Sequence, residues 1–513
     1  MKHTILAIII ASGISMTACK KQLDIIPENS LTYRNGIETE KDIEDLVLSV
    51  SNTVRKEMYS FDHMLPVDGY ADENDDGGWG SLFRPNAIVA GWDWKYKVIN
   101  QANIPLNFME QTNTPENRKT FYRGQLYFYK ALAYLEIIRM FGDCVLVKEE
   151  IVMDPVAKSP WTEVADYAIE LARQAVDMLP ELSQVRDSQG RPATDKAVPC
   201  KGAANAVLAN LCAWKAGCKY IAQPAQRDYD ENKLWEEAED ACTAIINSKE
   251  YDLAADPAVL CESGLVGGTP ESIFEINYLN YWNEMFDKDG NKMGTPVGGP
   301  FQLYQSWYLP NQGLAAIAQS YYRIYASTAE RMFPPNDLRR YSYFYKLDSL
   351  SAEPVSQGYA YPYKYRKLRL YTSGDRIGQV DRYDQNFILY RMGGIYLLRA
   401  ECRARLGKNG DAIADLDKVR GRAHAAPYNS AEGDLRYIIY KEREKELLFE
   451  PNYFYYDIIR NGYARTELRR YDYDKASDQD LIDGAFFNMI DIERSGNANP
   501  LMRQNTYWNK RFH

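Results

Sequence analysis

Hydrophobic and polar residues recur with a helical period in three pairs of segments. In each first segment, alanines and large apolar residues return every three or four positions, which is the spacing of one buried helix face. In each second segment small residues return at the same spacing, as at Ala238, Ala241 and Ala244, so that two helices can pack closely. The pairs are 124–142 with 160–179, 201–217 with 234–248, and 390–407 with 411–423. The pattern therefore predicts three helical hairpins.

Specific residues predict where these helices begin and end. Glycine ends the first segment of every pair, at Gly142, Gly217 and Gly407. Because glycine readily adopts the left-handed conformation that closes many helices, we expect each to be a C-cap. Ser159 before Pro160 predicts a helix start, with Ser159 as the N-cap and proline at the first helical position.

Helical hairpins of this kind are similar to tetratricopeptide units, and generic antiparallel helix pairs are the alternative interpretation. The spacing between the pairs is irregular, so we expect long insertions to interrupt the solenoid. We therefore predict a mainly α fold, an α-α superhelix of irregular tetratricopeptide-like hairpins. A loop-rich, minor-β region is expected to carry the ligand site.

Two stretches have a loop character. Between 254 and 389, glycine, proline, aspartate and tyrosine dominate, with a β-like run "SIFEINYL" at 272–279. Residues 63–91 have the same texture. Because loops on a rigid scaffold commonly carry binding residues, these two stretches are the candidate regions for ligand contact.

The first residues resemble the signal segment of a bacterial lipoprotein. Lys2 and His3 are followed by the apolar stretch "ILAIIIASGI" at 5–14, which is too short to cross a bilayer. Cys19 comes next, after small residues, with Met16 where a lipobox usually has leucine. We expect Cys19 to receive lipid and become the mature N-terminus. An ordinary signal peptide with a chance cysteine is the alternative.

The composition is that of a large globular body and excludes a nucleic-acid ligand. The 513 residues carry a net charge of −10, which becomes −11 once residues 1–18, with their one lysine, are removed. Phosphate backbones require a basic face, which an acidic chain does not favour. Apart from Cys19, seven cysteines remain, without a CxxC pair, so we expect no disulfide framework and at least one free or buried thiol.

Catalytic and metal motifs are missing from the sequence. The chain has four histidines and contains no HExxH, no GxSxG and no Gly-rich phosphate loop. "DKDGNKMG" at 287–294 begins like a calcium loop, but Lys292 stands where an EF-hand requires glycine, so we favour a polar turn. We expect no cofactor and no enzymatic activity.

Several motifs, in order, resemble the SusD/RagB family of surface lipoproteins, which capture nutrients in Bacteroidota. The resemblance covers nearly the whole mature chain. It includes Trp92, Tyr96, Ile99, Ala102 and Asn103 in one helix, and Glu442-Arg443, Glu446-Leu447 and Phe449-Glu450 near the end. The matching segments are "CKKQLDIIP" at 19–27, "WDWKYKVINQAN" at 92–103, "KALAYLEIIRMFGD" at 130–143, "KGAANAVLANL" at 201–211, "YLLRAECRARLG" at 396–407, "AIADLDKVRGRA" at 412–423 and "YKEREKELLFE" at 440–450.

The chain departs from the family pattern in two packing segments. Gly393-Gly394 stands where the family often has Ala-Glu, and Pro451-Asn452-Tyr453 follows Glu450 in place of Gly-x-Arg. Both changes bear on local geometry. The run of Glu, Lys and Arg at 441–446 is interpreted as a paired helix face.

The resemblance implies the organisation of the chain and its partners. It implies a SusC-like TonB-dependent transporter as the partner and an outer-membrane location, lipid-anchored and facing the cell exterior. We predict a signal peptide at 1–18, a lipidated tether at 19–30 and one body at 31–513. The body divides into an N-terminal part to about 253, the loop-rich region 254–389 and a helical C-terminal part 390–513.

Aromatic residues in the loops are the candidate ligand contacts. The chain has 40 tyrosines against 17 phenylalanines, and flat rings with a polar edge suit sugar surfaces. The resemblance places glycan-contacting aromatics in the same two loop regions. The first cluster is Tyr70, Asp72, Asn74, Trp79 and Arg84, and the second is Tyr278, Asn280, Tyr281, Trp282, Trp307 and Tyr308.

Three functions compete at this point. Capture of an oligosaccharide for uptake is favoured. Capture of a peptide is the alternative, because the family includes peptide-binding proteins on the same fold. A glycosidase using two carboxylates is third, since no pair at a defined separation can be selected from the sequence.

Overall fold

The computed structural model describes residues 36–58, 92–278 without 153 and 194, 308–309, 313–314, and 324–512 without 371, 376, 379, 451–452, 469–472 and 494–498. Cys19, residues 59–91 and residues 279–307 lie outside this set. Helices dominate the described chain, so the predicted mainly α class is confirmed.

In the described chain, six long helices come first, followed by four short ones and then the C-terminal helices. The long helices are α1 Glu40–Thr53, α2 Trp92–Phe108, α3 Glu116–Phe141, α4 Trp161–Met178, α5 Lys201–Gly217 and α6 Glu231–Asn247. The short ones are α7 Pro257–Val259, α8 Ala326–Met332, α9 Arg339–Tyr343 and α10 Leu347–Leu350. The C-terminal ones are α11 Met392–Arg405, α12 Asn409–Arg422, α13 Leu435–Glu446, α14 Tyr453–Asn461, α15 Ala464–Glu467, α16 Asp478–Ile482 and α17 Thr506–Phe512.

The three predicted hairpins form, and they stack on one another. Helix α3 packs on α4, α5 on α6, and α11 on α12, while α4 also packs on α5 and α6 on α11. Arg403 of α11 pairs with Glu239 of α6 at 3.0 Å, and Nη1 of Arg399 donates to Thr243 of α6 at 3.2 Å. The expected long insertion is present between the second and third hairpins, at residues 248–391, although the helices on either side of it still pack together.

Helix α3 occupies the centre of the stack. Every residue from Gly124 to Phe141 is buried, and α1, α2, α4 and α5 all pack against this helix. Two of its buried polar side chains have clear partners, which offsets the cost of burying them in an apolar core. Nζ of Lys130 donates to Oδ1 of Asn103 at 2.7 Å, and Oη of Tyr134 donates to the carbonyl of Val147 at 2.6 Å.

The strands are short and pair two by two. In each pair the strands are antiparallel: β1 Cys144–Val145 with β2 Lys158–Ser159, β3 Ser272–Ile276 with β8 Phe387–Arg391, β4 Tyr308–Leu309 with β5 Gly313–Leu314, and β6 Leu368–Leu370 with β7 Val380–Tyr383. The β3–β8 pair is fully buried, and β8 continues directly into α11. The β-like run predicted at 272–279 is thus confirmed as a strand over 272–276.

Two of the three predicted helix-ending glycines are confirmed, and the third is not. Gly142 and Gly407 have positive φ, 69° and 75°, so the expected helix-ending glycines are confirmed there. Gly217 does not have positive φ. Instead, a Cβ on it would lie 2.6 Å from the carbonyl oxygen of Arg460, so this glycine allows a close approach between α5 and α14. The C-cap prediction for Gly217 is therefore wrong.

The N-cap prediction for Ser159 is also wrong. Helix α4 begins at Trp161 with Pro160 at the N-cap, and Ser159 lies in β2, paired with Cys144. The N–H of Trp161 donates to Oδ1 of Asp143 at 2.9 Å, so a carboxylate from the end of α3 caps this helix.

All seven cysteines of the described chain are buried and free, which confirms the expectation of buried thiols. They are Cys144, Cys200, Cys212, Cys218, Cys242, Cys261 and Cys402. Among the same described residues, no helix is both long enough and apolar enough to cross a bilayer.

Candidate functional site

Most of the predicted contact residues lie outside the described residues. Tyr278 and Tyr308 lie within them, and Tyr308 contributes to β4. The predicted residues outside the described set are Tyr70, Asp72, Asn74, Trp79, Arg84, Asn280, Tyr281, Trp282 and Trp307, together with Cys19 and the calcium-like segment 287–294.

Tyr278 is a buried residue at the point where β3 leads into the second loop segment. Its side chain is 3% exposed, and its hydroxyl donates to the carbonyl of Arg55 at 3.1 Å. Its N–H donates to Oδ1 of Asn386 at 2.9 Å, and burial raises the pKa of its phenol. A covered ring offers no face to a ligand, so the structure corrects the prediction for Tyr278 and gives it a packing role. Sequence alone did not separate it from its neighbours, because an aromatic residue at a strand end resembles one in a loop.

The bond from Tyr278 to Arg55 brings two distant parts of the chain together. Arg55 lies in the π-helical turn Val54–Met58, which immediately precedes segment 59–91, and Tyr278 immediately precedes segment 279–307. The two bonded residues are 223 positions apart in the sequence. Arg55, four residues before the first segment, and Tyr278, the residue before the second, are therefore in contact.

A small cleft lies at this junction, and we call it the root cleft. It has a volume of about 60 Å³ and is lined by residues of α1, the following turn, α3 and β3. Nη2 of Arg55 donates to Oδ1 of Asn52 at 2.9 Å, and Nδ2 of Asn277 donates to Asp195. Oδ1 of Asn277 is buried without a hydrogen-bond partner in the described chain, although its side chain lines the cleft. An unpaired buried acceptor costs about 1–3 kcal/mol, so this site favours a ligand or water that can donate.

The charged run at 441–446 has a different role from the predicted one. Lys441 and Glu444 pair along the helix as expected. Glu446, however, is buried and pairs with three arginines from other elements, Arg339, Arg391 and Arg422. Burial alone would raise the pKa of Glu446, but these guanidinium groups hold it well below its ordinary value. The run is therefore mainly an internal cluster, and the prediction of a paired helix face holds only in part.

We call this cluster the C-terminal charge network. Its carboxylates are Glu271, Asp337, Glu442, Glu446 and Glu450, and its cations are Arg339, Lys364, Arg391, Arg420 and Arg422. The buried members of the two sets are equal in number, which is how a protein can hold charges in its interior, and Arg420 also pairs with the exposed Glu432. The members come from segments far apart in the sequence, so helical spacing alone did not reveal them.

Gly393 belongs to the same cluster, which accounts for one departure from the family pattern. Its N–H donates to Oε1 of Glu271 at 3.1 Å. A Cβ at this position would lie 2.8 Å from Oε1 of Glu446 and closer still to Nη1 of Arg391. The adjacent Gly394 has ordinary space around it, with Leu447 at 3.8 Å.

Metal chemistry has no visible site in the part of the chain that the structure describes. No group of three or more His, Cys, Asp or Glu side chains there is arranged to hold an ion.

Two family profiles match this chain. Residues 270–508 match the SusD family, and residues 33–211 match a family described as starch-binding and associating with the outer membrane. Among curated proteins, SusD-like protein P2 of Formosa agariphila is 25% identical over 409 residues, covering 75% of this chain and 72% of that protein. SusD-like protein P38 of the same organism is 22% identical over 506 residues, covering 89% and 90%.

Solved structures share the fold. A SusD homolog from Bacteroides thetaiotaomicron superposes with a TM-score of 0.70 at 21% identity, covering 92% of this chain and 98% of the other. The surface glycan-binding protein A of the same organism, solved in complex with laminarihexaose, superposes with a TM-score of 0.65 at 19% identity, covering 91% and 100%.

Proposed function

We propose that this chain, which belongs to the SusD/RagB family, is a cell-surface lipoprotein that binds oligosaccharide and delivers it to a SusC-like TonB-dependent outer-membrane transporter. Cys19 is the lipid anchor, and residues 19–30 are the tether. The body holds its ligand on the two aromatic-rich loops and does no chemistry on it. The profile described as starch-binding and the relative solved with laminarihexaose support a sugar ligand.

The observation that carries this proposal is the junction between Tyr278 and Arg55. The hydrogen bond between them joins the described residues that precede the two loop segments, and this supports a shared starting point for both loops. Two loops that share a root can contribute to one surface. Trp79, Tyr281, Trp282, Trp307 and Tyr308 then supply ring faces for sugar.

Polar residues of the same loops supply the hydrogen bonds. Asp72 and Asn74 accept from hydroxyl groups, Arg84 donates to them, and Tyr70 has a ring and a hydroxyl for either contact. Because each sugar ring has both an apolar face and hydroxyl groups, aromatic and polar residues side by side fit this ligand class.

Two tryptophan variants test the site. In Trp79→Ala and Trp282→Ala, we expect the affinity for the bound glycan to fall about thirtyfold, because an aromatic anchor contributes roughly 2 kcal/mol or more. The ligand is first chosen on a glycan array, and its affinity is then measured by calorimetry on the mature protein in detergent. Tyr341→Ala is the control, since Tyr341 is an aromatic residue that is 53% exposed and lies on short helix α9.

The melting temperature of each tryptophan variant distinguishes a ligand-contacting tryptophan from a core tryptophan. A core tryptophan would cost about 3–5 kcal/mol of stability when replaced by alanine, whereas a loop contact would leave the melting temperature unchanged. Unchanged affinity in both variants would remove Trp79 and Trp282 from the site and turn attention to Trp307 and Tyr308.

The ligand class is tested by exposing the same protein to the glycan array and to a peptide library. Binding to peptides alone would replace oligosaccharide with peptide as the captured nutrient. The bound glycan is also recovered after long incubation, and we expect it intact. Cleaved product from two independent preparations would favour a glycosidase instead.

The anchor is tested by Cys19→Ala. We expect the variant to leave the membrane fraction and the wild-type body to be digested by protease added to whole cells. A variant that remains membrane-bound and equally digestible would contradict lipidation at Cys19.

A further inference from the structure

A second cavity lies at the opposite end of α3 from the root cleft, and we call it the C-terminal cavity. It has a volume of about 140 Å³ and lies between the β1–α4 connection, the turns at 219–226 and the C-terminal segment. Asp143, which lines it, follows the end of α3, whereas Gln125 of the root cleft lies in the first half of that helix. Eighteen positions separate these two residues, and the helical part of that span is roughly 24 Å long at 1.5 Å per residue. The two cavities are therefore distinct.

Three polar groups lining this cavity have unused hydrogen-bonding capacity. Nζ of Lys158 donates to Oδ1 of Asn505 at 2.8 Å, which uses one of its three N–H donors, and it forms no ion pair within the described chain. Oε1 of Gln226 is buried and finds no partner among the described residues. Asp143 accepts the N–H of Trp161 at 2.9 Å through Oδ1, and its second oxygen remains available. Burial also lowers the pKa of Lys158.

The charges around the cavity balance. Asp483 is paired with Lys510 at 2.6 Å, which leaves the carboxylate of Asp143 and the ammonium of Lys158 on the lining. An anion would be attracted by Lys158 but repelled by the oxygens of Asp143 and Gln226. A cation would be attracted by these oxygens but repelled by Lys158. A hydroxyl group donates one hydrogen bond and also accepts, so two hydroxyl groups of one molecule can donate to Asp143 and Gln226 and accept from Lys158.

We propose that the C-terminal cavity binds a small neutral polyol, such as a monosaccharide or an alditol. Trp161 and Phe487 are largely buried, but both line the cavity, and the parts of their rings that line it supply an apolar surface that suits the carbon face of such a molecule. Thr506 lines the cavity and is exposed, which marks the side from which a ligand enters. This site is separate from the loop site and does not depend on the proposed function of the loops.

Titration of the mature protein in detergent with glucose and with mannitol tests this proposal. We expect millimolar binding of at least one of them by calorimetry. Gln226→Leu removes the unpaired oxygen at similar volume and should weaken that binding about tenfold, which is the loss of roughly one hydrogen bond. Gln184→Leu is the matched control, because Gln184 is exposed and outside the cavity, and it should bind as the wild type does.

Two further measurements separate the possible outcomes. A Trp79→Ala/Trp282→Ala double variant should retain the binding, and its loss there would assign the sugar to the loops and overturn the proposal. Crystals of the wild type soaked in glucose give a result even if Gln226→Leu does not fold. Density for the sugar among Lys158, Gln226 and Asp143 supports the proposal. Water alone in the cavity, the absence of a binding heat, or binding unchanged in Gln226→Leu overturns it.

Discussion

Two adjacent glycines of α11, Gly393 and Gly394, allow a sharp test of the C-terminal charge network. Both lie in the first turn of the same helix, and alanine would favour that helix at either position. They differ in what a methyl group would contact. At Gly394 the nearest atoms are those of Leu447, at 3.8 and 3.9 Å, whereas at Gly393 they are the charged groups of Arg391 and Glu446.

The magnitude follows from the bonds that Arg391 makes. Its Nη1 donates to Oε1 of Glu446 at 2.7 Å and to Oε1 of Glu271 at 2.9 Å, and a methyl on Gly393 must displace this nitrogen. A buried charge-assisted hydrogen bond contributes about 1.5–3 kcal/mol, and a broken buried pair costs about 3–5 kcal/mol. We expect Gly393→Ala to lose about 3 kcal/mol of unfolding free energy. Gly394→Ala should be unchanged or gain up to about 1 kcal/mol.

Urea denaturation of both variants, followed by far-UV circular dichroism, measures this difference. Equal slopes against urea are required, so that a change in midpoint reports stability alone. If the two variants differ by less than about 0.5 kcal/mol, the size of an ordinary surface effect, then the packing of Gly393 against the network is not what the structure indicates.

Three further outcomes are expected. Gly407→Val should cost about 1 kcal/mol or more by thermal melting, because φ is 75° and the site is otherwise open, whereas Gly410→Val, at an equally open helical position, should not. Glu446→Gln should destabilise the protein most at neutral pH. Because the pKa of Glu446 is depressed in the folded state, its ionised form stabilises the protein above the ordinary carboxyl pKa of 4.5, and the difference in unfolding free energy between wild type and variant should shrink as the pH falls below that value. A difference that stays constant across urea denaturations at several pH values would contradict this. Burial raises the pKa values of the seven thiols, so the native protein should react slowly with a thiol reagent, and all seven should react once guanidinium unfolds it. Rapid reaction of the native protein with the reagent would refute their burial.

The hairpins were predictable because their signal is local. The 3.6-residue period of apolar positions places 201–217 and 161–178 as helices almost to the residue. The stacking of α6 on α11 was not predictable, since no local pattern reports that a chain will return after residues 248–391. Gly217 shows the same limit, because the reason for a glycine there is the backbone of Arg460, far along the chain.

The charge network was missed for a related reason. A run of Glu and Arg on one helix has the same appearance whether its partners are neighbouring turns or distant segments. Glu446 takes its partners from α9, from β8 and from the end of α12, and only the folded chain brings these together. Tyr278 was misassigned because strand ends and loops share the same aromatic composition.

The motifs that identify this family are, in the described chain, parts of the scaffold. Trp92 packs its ring against Tyr96 and Phe141, and Oδ1 of Asn103 accepts a hydrogen bond from the buried ammonium of Lys130.

Glu446 and Glu450 of the C-terminal motif bind Arg391 at the end of β8, which pairs with β3. These contacts fix the β3–β8 pair at one end, while Tyr278 extends from its other end to the root of the loops. The motifs therefore hold the residues that precede the two loops of the proposed site. Under the proposed function the loops select the ligand, so exchanging 59–91 and 279–307 for those of a relative with a different ligand should transfer specificity and leave the scaffold stable. A chimera that folds but keeps the original ligand would show that the scaffold itself makes the choice.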